Sequence, residues 1–306
     1  AKLFEKDFEQ KSNFRLEEGV SCVACHAIKK ADAKGNASFS LALKGREKYA
    51  FEDSSVGTLS FFGEKFINAN PQVHKQSYSS KLYKQSSYCA SCHNESHPIN
   101  GTKIVSTYDE WKNSPFGDKR DKKRYKTCID CHMTNLNKSG FTPLKGRSTD
   151  GGAIKKDVKV HHFAGSNHFL ASLKSKEAAE QSLFLLKQAA KLSSWTKEGK
   201  LFVRVTNSGA GHHLPTGAAD FRELWLMVKV KDASGKVVFA SGELDKNGEI
   251  MAGSRIFQKV FGDEASKPVG LYFWRYKKLL SDTRIPAGKS RIEVFELPKG
   301  LKQPLS

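Results

Sequence analysis

Cys128-Ile129-Asp130-Cys131-His132 carries two thiols three residues apart with a histidine directly behind the second. The same pattern stands at Cys22-Val23-Ala24-Cys25-His26 and at Cys89-Ala90-Ser91-Cys92-His93, so the three pentads use all 6 cysteines of the chain. Thiols at this spacing can form thioethers to the two vinyl groups of one haem, and the adjacent histidine then reaches the iron from the same side. Rival readings account for less. A disulfide framework gives no reason for a histidine after each second cysteine. Zinc sites combine two Cys-x-x-Cys elements into four ligands, and three elements do not divide that way. A thioredoxin-like redox pair explains one element, not three. With 10 histidines in 306 residues, chance placement behind all three pairs has odds of about a few in 100,000. The pattern therefore implies three covalently bound haem c groups. Their attachment points are Cys22, Cys25, Cys89, Cys92, Cys128 and Cys131, with His26, His93 and His132 as proximal ligands.

Each iron has a second axial position, and seven histidines are left for it: His74, His97, His161, His162, His168, His212 and His213. Methionine is a poor alternative. Met133 sits beside a proximal histidine and cannot swing to the opposite face, and Met227 lies in an apolar run that reads as core. Histidine on both sides of every iron follows, which places the haems at lower potential than a Met/His pair would. His74, in Asn70-Pro71-Gln72-Val73-His74-Lys75, is the histidine between the first two motifs. His161-His162 and His212-His213 are adjacent pairs, and neighbours on an extended chain point opposite ways, so each pair offers one ligand. His97 follows His93 by four residues and could serve only another haem; His168 ranks last.

Other stretches extend the pattern. Glu18-Gly19-Val20-Ser21 ahead of Cys22, Thr107-Tyr108-Asp109-Glu110-Trp111 with Ser114-Pro115, and Cys128 to Met133 resemble the multihaem cytochromes around hydroxylamine oxidoreductase and its tetrahaem electron-acceptor cytochrome. His162-Phe163-Ala164-Gly165 and Gly211-His212-His213-Leu214-Pro215-Thr216-Gly217 resemble blocks of related exported respiratory cytochromes. The resemblance spans roughly residues 15–245. It favours His212 over His213 and His162 over His161 as distal ligands. It also marks departures: three haem motifs only, and no Cys-x-x-Cys-Lys motif of the kind a nitrite-reducing haem uses.

Composition sets the surroundings. The formal net charge is +19, with 51 Lys and Arg against 32 Asp and Glu. Such an excess suits nucleic acid, an anionic membrane face or an acidic protein. No nucleic-acid-binding motif accompanies it, so redox partner proteins with acidic docking surfaces are expected, and no nucleic acid. A basic cluster stands at Lys119, Arg120, Lys122, Lys123, Arg124 and Lys126. The longest apolar run, Leu224 to Val230, is interrupted by Lys229 and far too short for a transmembrane segment. Haem attachment of this kind implies export, so a periplasmic or extracellular protein whose signal peptide has been removed is expected.

The expected fold class is α+β. Residues 1–170 read as a mostly irregular and helical three-haem domain, in which porphyrins supply the apolar core. Residues 171–194 read as a connecting amphipathic helix, with Ala179, Leu183, Leu186 and Ala190 on one stripe. Residues 195–306 read as an antiparallel β-sandwich. Its strands are expected at Leu201–Thr206, Leu224–Lys231, Lys236–Phe239, Gly270–Tyr276 and Arg291–Phe295. The turn holding His212 falls between two of them, so the β domain can lend a distal ligand to a haem of the first domain. The expected function is electron transfer between redox partners rather than catalysis. The alternatives are a reductase or oxidase of a small nitrogen or sulfur compound at one open haem, and a structural subunit, by self-assembly or within a larger cytochrome complex.

Overall fold

The computed structural model describes residues 22–42, 48–137, 140–148 and 153–299. Glu18-Gly19-Val20-Ser21 lies outside them, and so does the side chain of His74. The fold class is α+β, with antiparallel pairing in every described ladder. The described chain forms two compact units, one of residues 22–31 and 39–83, the other of 32–38 and 84–299.

The first unit holds the first motif on α1 (Cys22–His26), the ladder β1 (Ile28–Ala31) with β2 (Phe39–Leu41), and the helices α2 (Gly57–Ala69) and α3 (Gln72–Tyr78). Its protein core is slight. Among its described residues only Ile28 and Gly63 are buried, while Phe51, Phe61, Phe62 and Phe66 are exposed. Gly63 lets α2 rest on the chain at Phe51, whose carbonyl oxygen would lie 2.8 Å from any added Cβ.

The second unit begins with α4 (Ser86–Ala90), the ladder of β3 (Glu95–Ser96) and β4 (Lys103–Val105), α5 (Thr107–Lys112) and α6 (Cys128–His132). The short hairpin of β5 (Leu136–Asn137) and β6 (Gly140–Phe141) follows, then α7 (His168–Ser172) and α8 (Lys176–Ala189). Helix α8 is shorter than the 171–194 expected from its periodicity. Ser175 caps its start by accepting the Ala178 N–H at 3.2 Å, and at Ala190 the backbone turns extended into β7 (Ala190–Lys197). Of the expected stripe, Ala179 is buried, but Leu183 and Leu186 are exposed; Ala178, Gln181 and Ser182 complete the buried face.

Strands dominate the remainder. A three-stranded sheet sets β8 (Lys200–Asn207) between β7 and β15 (Ser290–Glu296). Along β8, Leu201, Val203, Val205 and Asn207 alternate inward, as a half-buried strand requires. Two-stranded ladders join β9 (Leu224–Leu226) to β12 (Arg255–Phe257), β10 (Val228–Lys231) to β11 (Val237–Ser241), and β13 (Lys259–Gly262) to β14 (Lys278–Asp282). Leu201, Val203, Val205, Leu226, Val230, Phe257, Ile285 and Phe295 form the core between them.

Two strand expectations are corrected. The run Leu224–Lys231 is two strands with different partners, and the break falls at Met227, which is exposed rather than in the core. Gly270–Tyr276 is no strand. Its apolar residues do not alternate, and Leu271, Tyr272, Phe273 and Trp274 are exposed around a short 3-10 turn at Phe273–Arg275. Tyr276 is its anchor, fully buried and stacked on Phe261 at 4.4 Å.

Candidate haem sites

The third motif is built from the cap inward. Thr127 begins α6 with a capping box: its N–H and hydroxyl both donate to Asp130 Oδ2, at 2.9 and 2.7 Å. The Cys128 N–H donates to the Ser86 hydroxyl at 3.3 Å, tying α6 to the helix of the second motif. The thiols meet there too. The Cys89 thiol hydrogen-bonds Cys128 and, with Ser86, holds the Cys128 thiol down to about 7 although burial pushes it up. The second motif is pinned from below. The His93 N–H donates to Cys89 O at 2.9 Å, and fully buried Asn94 donates its amide to Ala33 O at 2.9 Å.

At the end of α6, His132 Nδ1 meets the backbone oxygen of Ala164 at 2.6 Å. The carbonyl accepts, so the proton sits on Nδ1 and Nε2 carries the lone pair. Across from it stands His212, whose Nδ1 likewise donates to His213 O at 2.9 Å. The two ring centroids lie 6.2 Å apart, with planes only 13° from parallel. Burial, the largest influence on each, holds both imidazoles below the ordinary histidine value, with a smaller contribution from His93 on His132. Neutral rings are the form that binds metal.

The arrangement can be tested for fit. A metal–nitrogen bond of about 2 Å plus a ring radius of about 1 Å puts each centroid about 3 Å from a shared metal, or about 6 Å centroid to centroid. The observed 6.2 Å is the centroid separation that one ion shared by two ring nitrogens would require. A bare structural ion needs three or four protein donors, and among the described residues no three His, Cys, Asp or Glu converge. Two opposed imidazoles suit an iron whose other donors are a porphyrin's, and the carbonyl-bonded Nδ1 on each is the support that ligating histidines usually have.

The loop presenting His212 is gripped on every side. Asn207, at the end of β8 and fully buried, donates its amide to His212 O at 2.8 Å and to Ile285 O at 2.9 Å. Leu214 and Ile285 exchange backbone hydrogen bonds at 2.9 and 3.0 Å. Gly211 packs against α5 so tightly that an added Cβ would meet Trp111 and Phe116 at 3.3 Å. Glu110 of the same helix reaches under the loop, accepting from the His213 N–H at 3.1 Å and the Thr216 hydroxyl at 2.6 Å. Thr107 Oγ1 lies 3.0 Å from Thr216 Oγ1 and accepts the Gly217 N–H at 3.2 Å. The blocks Thr107–Trp111 and Gly211–Gly217, about a hundred residues apart in sequence, are thus one structural element. Nothing local in either announces the other; what the sequence offered was their joint appearance in the resemblance.

The other candidates are placed as follows. His26 lies in the first unit, where Tyr83 meets its ring edge-on at 4.7 Å and donates to its carbonyl at 2.8 Å. His74 is on α3 of the same unit. His161 is exposed beside Phe163. His162 is half-buried with its Nδ1 enclosed and without a hydrogen-bond partner. His168 opens α7. His213 points its Nδ1 towards Glu110, 3.8 Å away. His97 is occupied by backbone: Nδ1 accepts from Ile99 and Asn100 at 3.3 and 3.4 Å, and Nε2 meets Trp274 O at 3.1 Å.

Residues 74–151 match the family model for cytochrome c554 and c-prime. That segment holds the second and third motifs and the Thr107–Trp111 block. A penta-haem cytochrome c552 from Thermochromatium tepidum has a similar fold. The TM-score is 0.54 and the identity 21%, over 93% of this chain and 67% of that one. Curated proteins give no match. These findings support a multihaem c-type cytochrome. Among the described residues, no helix is long and apolar enough to cross a membrane.

Proposed function

We propose that the cytochrome is an exported electron carrier with three haem c groups, each held between two histidines, and that His132 and His212 cap the haem attached at Cys128 and Cys131. The observation that carries the reading is the near-parallel pair of imidazoles, centroids 6.2 Å apart, each anchored through Nδ1. A bound haem supplies reversible one-electron chemistry. The chain's residues do the rest: they fix both histidines, half-bury them, and would leave no labile position on that iron for a substrate. His26 and His93 as proximal ligands, with His74 and His162 as distal ones, extend the same pattern to the other irons.

The attachment helices α4 and α6 are joined at Ser86 and Cys128, so two of the haems are neighbours within one unit and form a short relay. Directly before Cys128 the chain exposes Lys119, Lys122, Lys123 and Lys126. Arg120 and Arg124 are paired with Asp118 and Asp121 and stiffen that loop. This is the surface on which an acidic redox partner docks, beside the third motif. Intact mass and a redox titration test the reading. Three haems per chain and fully reversible reduction, with no turnover of nitrite, hydroxylamine or sulfite, are expected. A different haem count, or steady turnover of such a compound, would overturn it.

A further inference from the structure

Glu110 has more partners than its sequence position suggests. Its carboxylate is buried, with the side chain 5% exposed, beside an Arg284 that is 4% exposed. Each oxygen accepts twice. Oε1 takes the Ser106 hydroxyl at 2.8 Å and Arg284 Nη1 at 2.7 Å; Oε2 takes the His213 N–H and the Thr216 hydroxyl. Burial alone would push this carboxyl up. Arg284, followed by Thr216, His213 and Ser106, outweighs it and holds Glu110 below the ordinary carboxylate range. Arg284 is itself fixed by Asp282, through Nε and Nη2 at 2.8 Å each. A buried carboxylate tolerates its site only when its acceptor positions are filled, and here all are.

The direction of the network matters. Glu110 holds the N–H of residue 213, and the carbonyl of that same residue receives the Nδ1–H of His212. The ring plane and tautomer of His212 therefore depend on where Glu110 places residue 213. We infer that Glu110, backed by Arg284, is a positioning residue for the iron: it aims the His212 imidazole and makes it a stronger donor. Outer partners of ligating histidines act in this way, fixing tautomer and orientation and raising ligand basicity. The inference rests on the reading of His212 as a distal ligand, and the two can be separated.

The experiment uses the haem-loaded protein and three variants, Glu110→Gln, Glu110→Ala and His212→Ala. It is read by EPR of the oxidised haems, carbon monoxide binding after reduction, and potentials of the individual haems. Glu110→Ala is expected to alter the low-spin signal of one haem and make that haem react with carbon monoxide, leaving the others unchanged. Glu110→Gln, which keeps the shape without the charge, is expected to raise the potential of the same haem. If Glu110→Ala does not fold, Thr216→Val removes one donor from the carboxylate and should shift that signal to a lesser degree. If His212→Ala opens one haem while none of the Glu110 and Thr216 variants changes any haem, the positioning role is overturned and the ligand stands. If His212→Ala leaves every haem low-spin, the ligand reading itself falls and the positioning role with it.

Discussion

The two units of the chain solve the problem of a core in different ways. In the first, Ile28 and Gly63 are the buried described residues and four phenylalanines are exposed. In the second, β8, β9, β10, β12 and β15 enclose a cluster of eight buried apolar side chains. A unit of that first kind cannot offset its conformational entropy from its own side chains; on the proposed reading, the flat apolar face of a haem attached at Cys22 and Cys25 would complete it. The strand-built part of the second unit owes its stability to protein, and can therefore hold the proposed ligand His212 on a rigid support.

The largest effect expected from this contrast is on the first unit. Replacing Cys22 and Cys25 by Ser, so that no haem is attached there, should abolish hydrogen-exchange protection in residues 48–83 while residues 190–207 and 290–296 keep theirs. Equal loss in both regions would break the comparison. On the other side, Ile285 is fully buried in the strand core and backbone-paired with Leu214. Ile285→Ala should cost about 2–5 kcal/mol in denaturant unfolding and loosen the His212 loop with it.

A third comparison lies within the second unit. His97 spends both ring nitrogens on backbone, whereas His212 spends one. His97→Ala should cost about 1–3 kcal/mol, from backbone groups left without their partner, and change no haem spectrum. A changed haem signal would reassign His97. The acid limb sharpens the same point. Burial pushes the Asp282 carboxyl up, but the side-chain bonds, charge and backbone N–H of Arg284 more than offset this, so it titrates below the ordinary range. A depressed value means its stabilisation is present above about pH 4, the unfolded carboxylate range, and is lost as pH falls through the folded value. Asp282→Asn should therefore flatten the fall in stability below about pH 4 in acid titrations followed by circular dichroism. The smallest effect belongs to the surface. Lys119→Glu with Lys122→Glu should slow electron exchange with an acidic redox protein about several-fold at low salt and weaken its dependence on ionic strength. An unchanged salt dependence would remove this loop from the docking surface.

What the sequence made legible follows from locality. The three motifs are contiguous pentads whose chemistry is complete within five residues. Strand β8 alternates cleanly and was readable for that reason, whereas β15 was readable from its β-branched and aromatic residues although Ile292 and Val294 are exposed. Strand β7 was not, because Ala190 to Lys197 is almost wholly exposed and carries no period. The apolar run at Leu271–Trp274 imitated a strand while forming an exposed turn. Among the adjacent histidines, spacing left both members of each pair open, and only the resemblance ranked them. Glu110 was visible as part of a block but not as a support, since its partners His213, Thr216 and Arg284 lie 103, 106 and 174 residues away.

The measurement that bears most directly on the account is EPR of the fully oxidised protein together with a carbon monoxide titration of the reduced form. Every iron held between two histidines predicts three low-spin signals and no carbon monoxide uptake. A high-spin haem, or one equivalent of carbon monoxide bound, would contradict it and identify an iron open to substrate.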